Sequence, residues 1–301
     1  MRKKILITAV IALALMAGCG NKEDTKPSEE PDKVKTEVGI TAMPEPTKEV
    51  KVEYSKIKID EGVSFQTWES FGASGAWWAQ YVGGWDKKNK YSEVTPRDDL
   101  ATLLFDKEKG IGLSSFRYNL GAGSADTGKG KYSDPHRRAQ CFETAPGVYD
   151  WSKDANAVWF IQKAAELNKD IDIILFCNSP LERLTRTGTA QSLKNSTTNI
   201  NPDKYDDFAN YCFDVAEHFK ELGIPVTEIS PINEPQWEWL DGQEGMHLNE
   251  EAIVGIMETF VNEIKNRPAL ADVMISGPES GEWGGKTKDY INAMMKSPVL
   301  K

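Results

Sequence analysis

An α/β fold built on parallel strands is the class this sequence predicts, and three observations predict it. Short β-branched or apolar runs recur five times, at 65–71, 112–117, 171–176, 226–229 and 273–276. Each is followed by a loop rich in Gly, Asn, Trp and Pro, and each loop leads into a helical pattern of apolar residues. Strands alternating with helices pair in parallel through βαβ units. Two architectures satisfy that pattern, a doubly wound sheet and a (β/α)8 barrel.

The segments upstream of these runs read differently. Arg2, Lys3 and Lys4 form a positive start, and residues 5–16 an apolar run too short to span a bilayer as a mature helix. The run ends in Leu15-Met16-Ala17-Gly18-Cys19, which resembles the bacterial lipobox, with Met16 where Leu is usual. Residues 1–18 are therefore expected to be a signal peptide, and Cys19 the lipidated N-terminus of a protein held outside the cytoplasm on the cell membrane. Residues 19–50 are Lys, Glu, Asp, Pro, Ser and Thr with almost no bulky apolar residue, a composition that favours a disordered tether. Val52, Tyr54, Ile57 and Ile59 sit in a β-rich stretch that suggests one strand of a side β-domain. The main domain occupies 51–301.

Helix starts within that domain carry the expected chemistry. Thr95-Pro96 precedes a helix that would turn Leu100, Leu103 and Leu104 inward. Asn201-Pro202 precedes one with Tyr205, Phe208, Cys212, Val215 and Phe219 on a stripe, and Asn249 caps another with Ile253, Ile256, Met257, Phe260 and Ile264 apolar. A last helix contains Tyr290, Ile291, Met294 and Met295.

Composition narrows the function. The formal net charge of -10, with no basic stripe, argues against nucleic acid as a partner and favours a neutral or weakly charged ligand. The four cysteines show no C-x-x-C spacing and only three His are scattered through the chain, so no metal and no cofactor is expected. With Cys19 taken as the anchor, three cysteines remain, an odd number better read as buried thiols than as a disulfide framework.

The loops choose between the two architectures. No G-x-G-x-x-G or Walker A motif follows any run, which removes the usual nucleotide-binding reasons for a doubly wound sheet. The runs end instead in residues suited to sugar: Ser74 and Trp77, Arg117 and Asn119, Asn178, Asn233 and Glu234, and Glu279. In a barrel all these ends converge on one face, where active sites of that fold are built. Ser230-Pro231-Ile232-Asn233-Glu234-Pro235 is the sharpest of them. Cleavage of a glycosidic bond needs a carboxylic acid to protonate the leaving oxygen and a second carboxylate at the anomeric carbon, and Glu234 suits the first role. Trp77, Trp78, Trp237, Trp239 and Trp283 lie in loops where indole faces stack on pyranose rings, although core packing is the competing reading for any one of them, above all within the pair Trp77 and Trp78. Trp151 and Trp159, around a helix, suit the core. Arg117 fits either a substrate contact or a buried ion pair. Glu279 is placed near the site and Glu282 outside it.

The segment FQTWESFGASGAWWAQ (65–80), SSFRYNLGAG (114–123), FCNSP (176–180) and PINEPQWEW followed by QEG (231–239, 243–245) together resemble glycoside hydrolase family 30, most of all its endo-β-1,6-galactanase-like branch. The similarity is ordered along the chain and covers roughly residues 50–301. It implies a retaining (β/α)8 hydrolase acting on a β-linked polysaccharide, with the acid/base at the end of strand four and the nucleophile at the end of strand seven. On this resemblance Glu234 is the acid/base, Asn233 contacts the sugar 2-hydroxyl, and Arg117 is the strand-two arginine. Trp77, Asn178, Trp237 and Glu279 complete the expected substrate contacts. After Asn178-Ser179-Pro180 the family usually has Pro or an aromatic residue; here stand Leu181, Glu182 and Arg183, which leaves galactan, xylan and β-1,6-glucan open as substrates. Five runs give about five of the eight units of a barrel, so the chain is expected to be its N-terminal part, inactive alone and without the nucleophile. A surface carbohydrate-binding lipoprotein without catalysis is the competing reading.

Overall fold

The computed structural model describes residues 56–301 apart from Ile59, Asn89, Tyr91, Leu193, Ser196 and Thr197. The signal peptide, Cys19, the tether and the proposed strand residues Val52, Tyr54 and Ile59 lie outside the described residues. Ile57, the remaining member of that strand, is exposed and non-helical, non-strand backbone. The chain divides after Ser64, and the seven strands found among the described residues belong to the part from Phe65 to Lys301.

Five of those strands form one parallel sheet. In chain order the elements are β1 (Gly72–Ser74), α1 (Ala79–Val82), α2 (Pro96–Phe105), β2 (Ser115–Asn119), α3 (Ser124–Thr127), β3 (Glu143–Ala145), β4 (Val148–Tyr149), α4 (Ala155–Leu167), β5 (Asp172–Phe176), α5 (Tyr205–Glu221), β6 (Val226–Ser230), α6 (Glu250–Glu263), β7 (Met274–Ile275) and α7 (Gly285–Met294). The sheet order is β1-β2-β5-β6-β7, every pair parallel, with β3 and β4 a separate antiparallel hairpin. Strands added in sequence order at one edge, each after a helix, are the arrangement of consecutive units of a (β/α)8 barrel.

The first strand departs from the sequence expectation. Residues 65–71 are irregular and exposed, with Phe65 and Phe71 at 91% and 66% exposure, and pairing begins at Gly72. An ideal Cβ at Gly72 would lie 2.7 Å from the main-chain oxygen of Ser115, so this strand approaches β2 where only glycine allows it. The apolar run misled because its large side chains precede the paired backbone.

Pairing register explains why the sheet has two unlike faces. Ser74, Arg117, Ile174, Glu228 and Met274 are aligned across the five strands, as are Asn119, Phe176 and Ser230, and alternation puts all of these on one face. The opposite face carries Phe116, Tyr118, Ile173, Leu175 and Ile229, each at most 1% exposed, and the helices pack there.

The helices form as their caps and stripes dictate. The Thr95 hydroxyl accepts from Asp98 N at 3.3 Å, and Pro96 with Asp98 and Asp99 favours the first turn. Within α2, however, the buried residues are Ala101 and Phe105, whereas Leu103 is 57% exposed. Leu100 and Leu104 only flank the core, because a stripe centred on Ala101 and Phe105 leaves Leu103 on the far side. Asn249 Oδ1 accepts from Ala252 N at 3.0 Å to cap α6, and Ile253, Ile256, Met257 and Phe260 are buried. Phe260 meets Phe208 and Phe213 of α5 edge-on, both at 5.4 Å between centroids. Trp151 stacks on Tyr149 and on His218 beside the core, and Trp159 packs against Phe160. Cys141, Cys177 and Cys212 are buried free cysteines.

Candidate active site

The C-terminal ends of the parallel strands bring together the polar residues that the sequence placed there. Arg117, on the polar face of β2, lies under the end of β5 with its guanidinium carbon 3.1 Å from the Phe176 ring centroid. From that position it binds three partners. Its Nε donates to Glu279 Oε1 at 3.1 Å, and its Nη2 lies 2.8 Å from Glu279 Oε2. Nη2 also donates to Asn233 Oδ1 at 2.9 Å, and Nη1 to Ser74 Oγ at 3.3 Å. Burial lowers the pKa of the guanidinium, and the Glu279 carboxylate opposes that shift. The two roles weighed for Arg117 thus coincide in space: it forms a partly buried ion pair, and the pair stands at the strand ends.

A row of amides leads away from it. Asn233 Nδ2 donates to Asn178 Oδ1 at 3.0 Å, and Asn178 Nδ2 donates to Asn119 Oδ1 at 2.8 Å. Because Arg117 can only donate, it fixes the orientation of the Asn233 amide, and each neighbour fixes the next. Asn119 Nδ2 ends the row buried and without a protein partner, and one N–H of Asn233 remains free to donate to a ligand.

Glu234 stands beside this row on strained backbone. Strands β6 and β7 part at the kink Ser276-Gly277-Pro278 and pair again through Asn233 and Glu279. There Glu234 N donates to Glu279 O at 2.7 Å and Glu279 N to Ile232 O at 2.9 Å. Glu234 has φ of 44°, a left-handed conformation uncommon for a residue with a side chain and concentrated at functional positions. A Cβ on Gly281 would come within 2.4 Å of Glu234 Oε1, so the bare backbone of the loop after β7 makes room for the carboxylate. Rotated to satisfy its neighbours, the Gln236 amide oxygen accepts from Gly281 N at 2.7 Å and from Trp237 Nε1 at 3.1 Å, which ties the two loops together.

The tryptophans separate into different roles. Trp78 belongs to the core, with its ring N–H donating to Ser74 O at 2.7 Å and its ring edge-on to Phe160. Trp77, its neighbour, lines a groove of about 470 Å³ together with Tyr81, His136 and Arg137, apart from the polar row. Trp237 is 48% exposed beside Glu234, and Trp283 is wholly exposed. Trp239 is partly buried, and its Nε1 donates to Glu234 O at 2.9 Å. Glu282 accepts from Lys286 N and so is engaged by the start of α7. Where the family has Pro or an aromatic residue, Leu181 and Glu182 are buried, and Glu182 accepts from Thr127 Oγ1 at 2.5 Å.

Two residues at the site carry weight that the sequence reading did not give them. Phe176, read only as the end of an apolar run, is the surface on which Arg117 lies; the period of two along β5 places it on the polar face. Glu244, noticed only inside the QEG segment, is fully buried and accepts from Ala122 N at 3.0 Å and from Ser124 N at 3.2 Å and Oγ at 2.6 Å. Burial raises its pKa to about 7.

Known proteins bear on this arrangement. Residues 54–292 match the model described as O-Glycosyl hydrolase family 30. The chain is 26% identical over 271 residues to an endo-β-1,6-galactanase of Hypocrea rufa, covering 81% of this chain and 54% of that protein. It is 29% identical over 223 residues to an exo-β-1,6-galactobiohydrolase of Bifidobacterium longum subsp. longum, covering 58% of this chain and 14% of that protein. Among solved structures it is similar to a conserved exported protein from Bacteroides fragilis, with a TM-score of 0.66 and 30% identity over 74% of this chain and 46% of that one. The chain thus spans about half the length of the first of these curated relatives and much less of the second.

Proposed function

This chain belongs to O-glycosyl hydrolase family 30, and on that premise we propose that it serves the retaining hydrolysis of a β-linked polysaccharide, β-1,6-galactan first, with Glu234 as acid/base. The choice of galactan rests on the two relatives whose names specify β-1,6-galactan chemistry. The observation that carries the reading is the position of Glu234: a carboxylate on left-handed backbone, beside a pre-oriented row of amides, against a glycine that leaves it room.

In the proposed reaction the Glu234 carboxylic acid donates its proton to the glycosidic oxygen as the bond to the anomeric carbon breaks, and the leaving sugar departs as an alcohol. The resulting carboxylate then takes a proton from the water that releases the glycosyl group from the nucleophile. The free N–H of Asn233 donates to the 2-hydroxyl, where a contact strengthens in the transition state. Glu279 has both oxygens engaged by Arg117, so it is assigned the task of holding that guanidinium, and the attack is assigned to a carboxylate on the seventh strand of the complete barrel, which is not among the five strands of this sheet. Trp237, exposed beside Glu234, serves the sugar chain, Asn178 serves it through the Asn233 amide that it orients, and Trp77 serves sugar units beyond the polar row, in the groove it lines. Lipidation at Cys19 would hold the protein on the outer side of the cell membrane, within reach of a polymer too large to enter.

Glu234→Gln tests the reading. In an enzyme that carries the complete barrel, turnover of β-1,6-galactan should fall by about two orders of magnitude or more, while aryl β-galactosides with good leaving groups, which need little proton donation, should lose far less. An equal loss on both would remove Glu234 from the acid role. Tight binding of galactan by the intact protein with no turnover would favour the sugar-binding reading.

A further inference from the structure

We propose that Gln243, Glu244 and Gly245 form a clamp that positions the acid by locking Trp239, whose ring N–H holds the main-chain oxygen of Glu234. The three residues are consecutive, and between them they bind two other loops of the rim. Gln243 Oε1 accepts from Arg137 Nη1 at 2.9 Å, and its main-chain oxygen from Gln191 Nε2 at 3.4 Å. Glu244 enters the loop after β2, where it takes up two main-chain N–H groups and the Ser124 hydroxyl. Gly245 N donates to Ala190 O at 2.9 Å in the loop after β5. Loops that follow β2 and β5 are thereby tied to one tripeptide in the loop after β6.

The link from clamp to acid passes through Gly245. A Cβ there would lie 2.2 Å from Cγ of the Trp239 ring, a contact no packing tolerates, so the indole occupies the space that the absent side chain leaves. The same indole donates to Glu234 O at 2.9 Å, while Trp239 O accepts from Ser192 N at 3.2 Å. Both ends of the link have left-handed backbone, with φ of 41° at Trp239 and 44° at Glu234. Such conformations persist only where the surroundings over-determine them, and the clamp supplies that over-determination. Its residues reach no strand-end polar group themselves; they are positioning residues, acting through Trp239.

The inference rests on Glu234 being the acid, and the experiment separates the two claims. The first arm needs no turnover: in a ¹H–¹⁵N spectrum of the chain, the Trp239 indole N–H, assigned by its loss in Trp239→Phe, should exchange slowly with solvent. Gly245→Ala should shift that resonance and raise its exchange rate at least tenfold, and Glu244→Gln should do the same in milder form if the alanine variant fails to fold. The second arm is kinetic. In an enzyme that carries the complete barrel, Gly245→Ala and Trp239→Phe should lower kcat/KM on β-1,6-galacto-oligosaccharides about 10- to 100-fold, the scale of a displacement of about 1 Å, with a far smaller loss on activated aryl galactosides. An unchanged indole resonance in both clamp variants overturns the proposal, as does an equal loss on the two substrate types in variants that remain folded. Should Glu234→Gln itself show no dependence on the leaving group, the acid assignment fails, and the indole arm still decides whether the clamp exists.

Discussion

Replacing Glu279 by Gln removes the negative charge from the Arg117 pair while keeping its shape, and it can only turn an amide of mixed polarity toward a group that only donates. The side chains of Arg117 and Glu279 are 21% and 35% exposed, which brackets the expected loss. An exposed pair contributes about 0–1 kcal/mol, and removing one partner from a buried pair costs about 3–5 kcal/mol. The contacts at 2.8 and 3.1 Å are charge-assisted, but the carboxylate is open enough for water to screen it, so we expect about 2 kcal/mol. For a domain of this size that is a fall in Tm of about 4–8 °C. Arg117 retains Asn233 Oδ1, Ser74 Oγ and the Phe176 ring, which prevents a larger collapse. The assay is a double-mutant cycle of Arg117→Met and Glu279→Gln by urea denaturation, with a coupling of about 1–2 kcal/mol expected. Coupling below about 0.5 kcal/mol, or a Glu279→Gln variant as stable as the wild type, would refute the assignment of Glu279 to holding Arg117.

Two further outcomes follow from buried or crowded groups. Burial raises the pKa of both Asp154 and Glu244 to about 7, so between their unfolded values near 4 and about 7 the folded state holds more protons than the unfolded chain, and their contribution to stability falls as pH rises through that window. Asp106, Asp150, Asp170 and Asp272 have lowered pKa values and act with the opposite sign as pH falls, so the measurement is the difference in urea midpoint between wild type and Asp154→Asn across pH 4 to 8; a difference independent of pH would contradict it. Gly281→Ala would put a Cβ 2.4 Å from Glu234 Oε1 and 2.5 Å from the end of the Gln236 amide, both the far ends of side chains that can turn. It should therefore leave Tm nearly unchanged while lowering, in an enzyme with the complete barrel, turnover of unactivated galactosides by about 100-fold, and a variant with full activity would show that the carboxylate does not need that space.

The helical part of the fold was legible because periodicity and capping act locally. The stripe from Tyr205 to Phe219 and the Asn249 cap are set by residues within four positions of one another, and both stand where the sequence put them. The strands were legible in order and less so in extent: 65–71 carries the larger apolar residues, but Gly72 is where the backbones can approach. The hairpin of β3 and β4 escaped because strands of three and two residues carry no period. At the site, Arg117, Asn178, Asn233 and Glu279 could be read one by one from their places after strands, and the structure joins all four by hydrogen bonds. Their mutual bonding could not be read, since the partners are 55 to 162 residues apart in the chain. Trp77 was legible as an aromatic in a loop after a strand, but which groove it lines depends on the loop carrying His136 and Arg137, which no local pattern fixes.

The two unlike faces of the sheet have a consequence for how such a chain can change over generations. Along β2, Phe116 and Tyr118 answer to the helices while Arg117 and Asn119 answer to the ligand side, so two sets of instructions are interleaved at a spacing of one residue. Drift at one set need not disturb the other. A lineage can revise Ser74, Asn119, Phe176 or Ser230, and with them the chemistry offered to a sugar, without reopening the question of how the helices pack. The same interleaving makes insertion or deletion of a single residue within a strand far more damaging than any substitution, because it hands each residue downstream the other one's task.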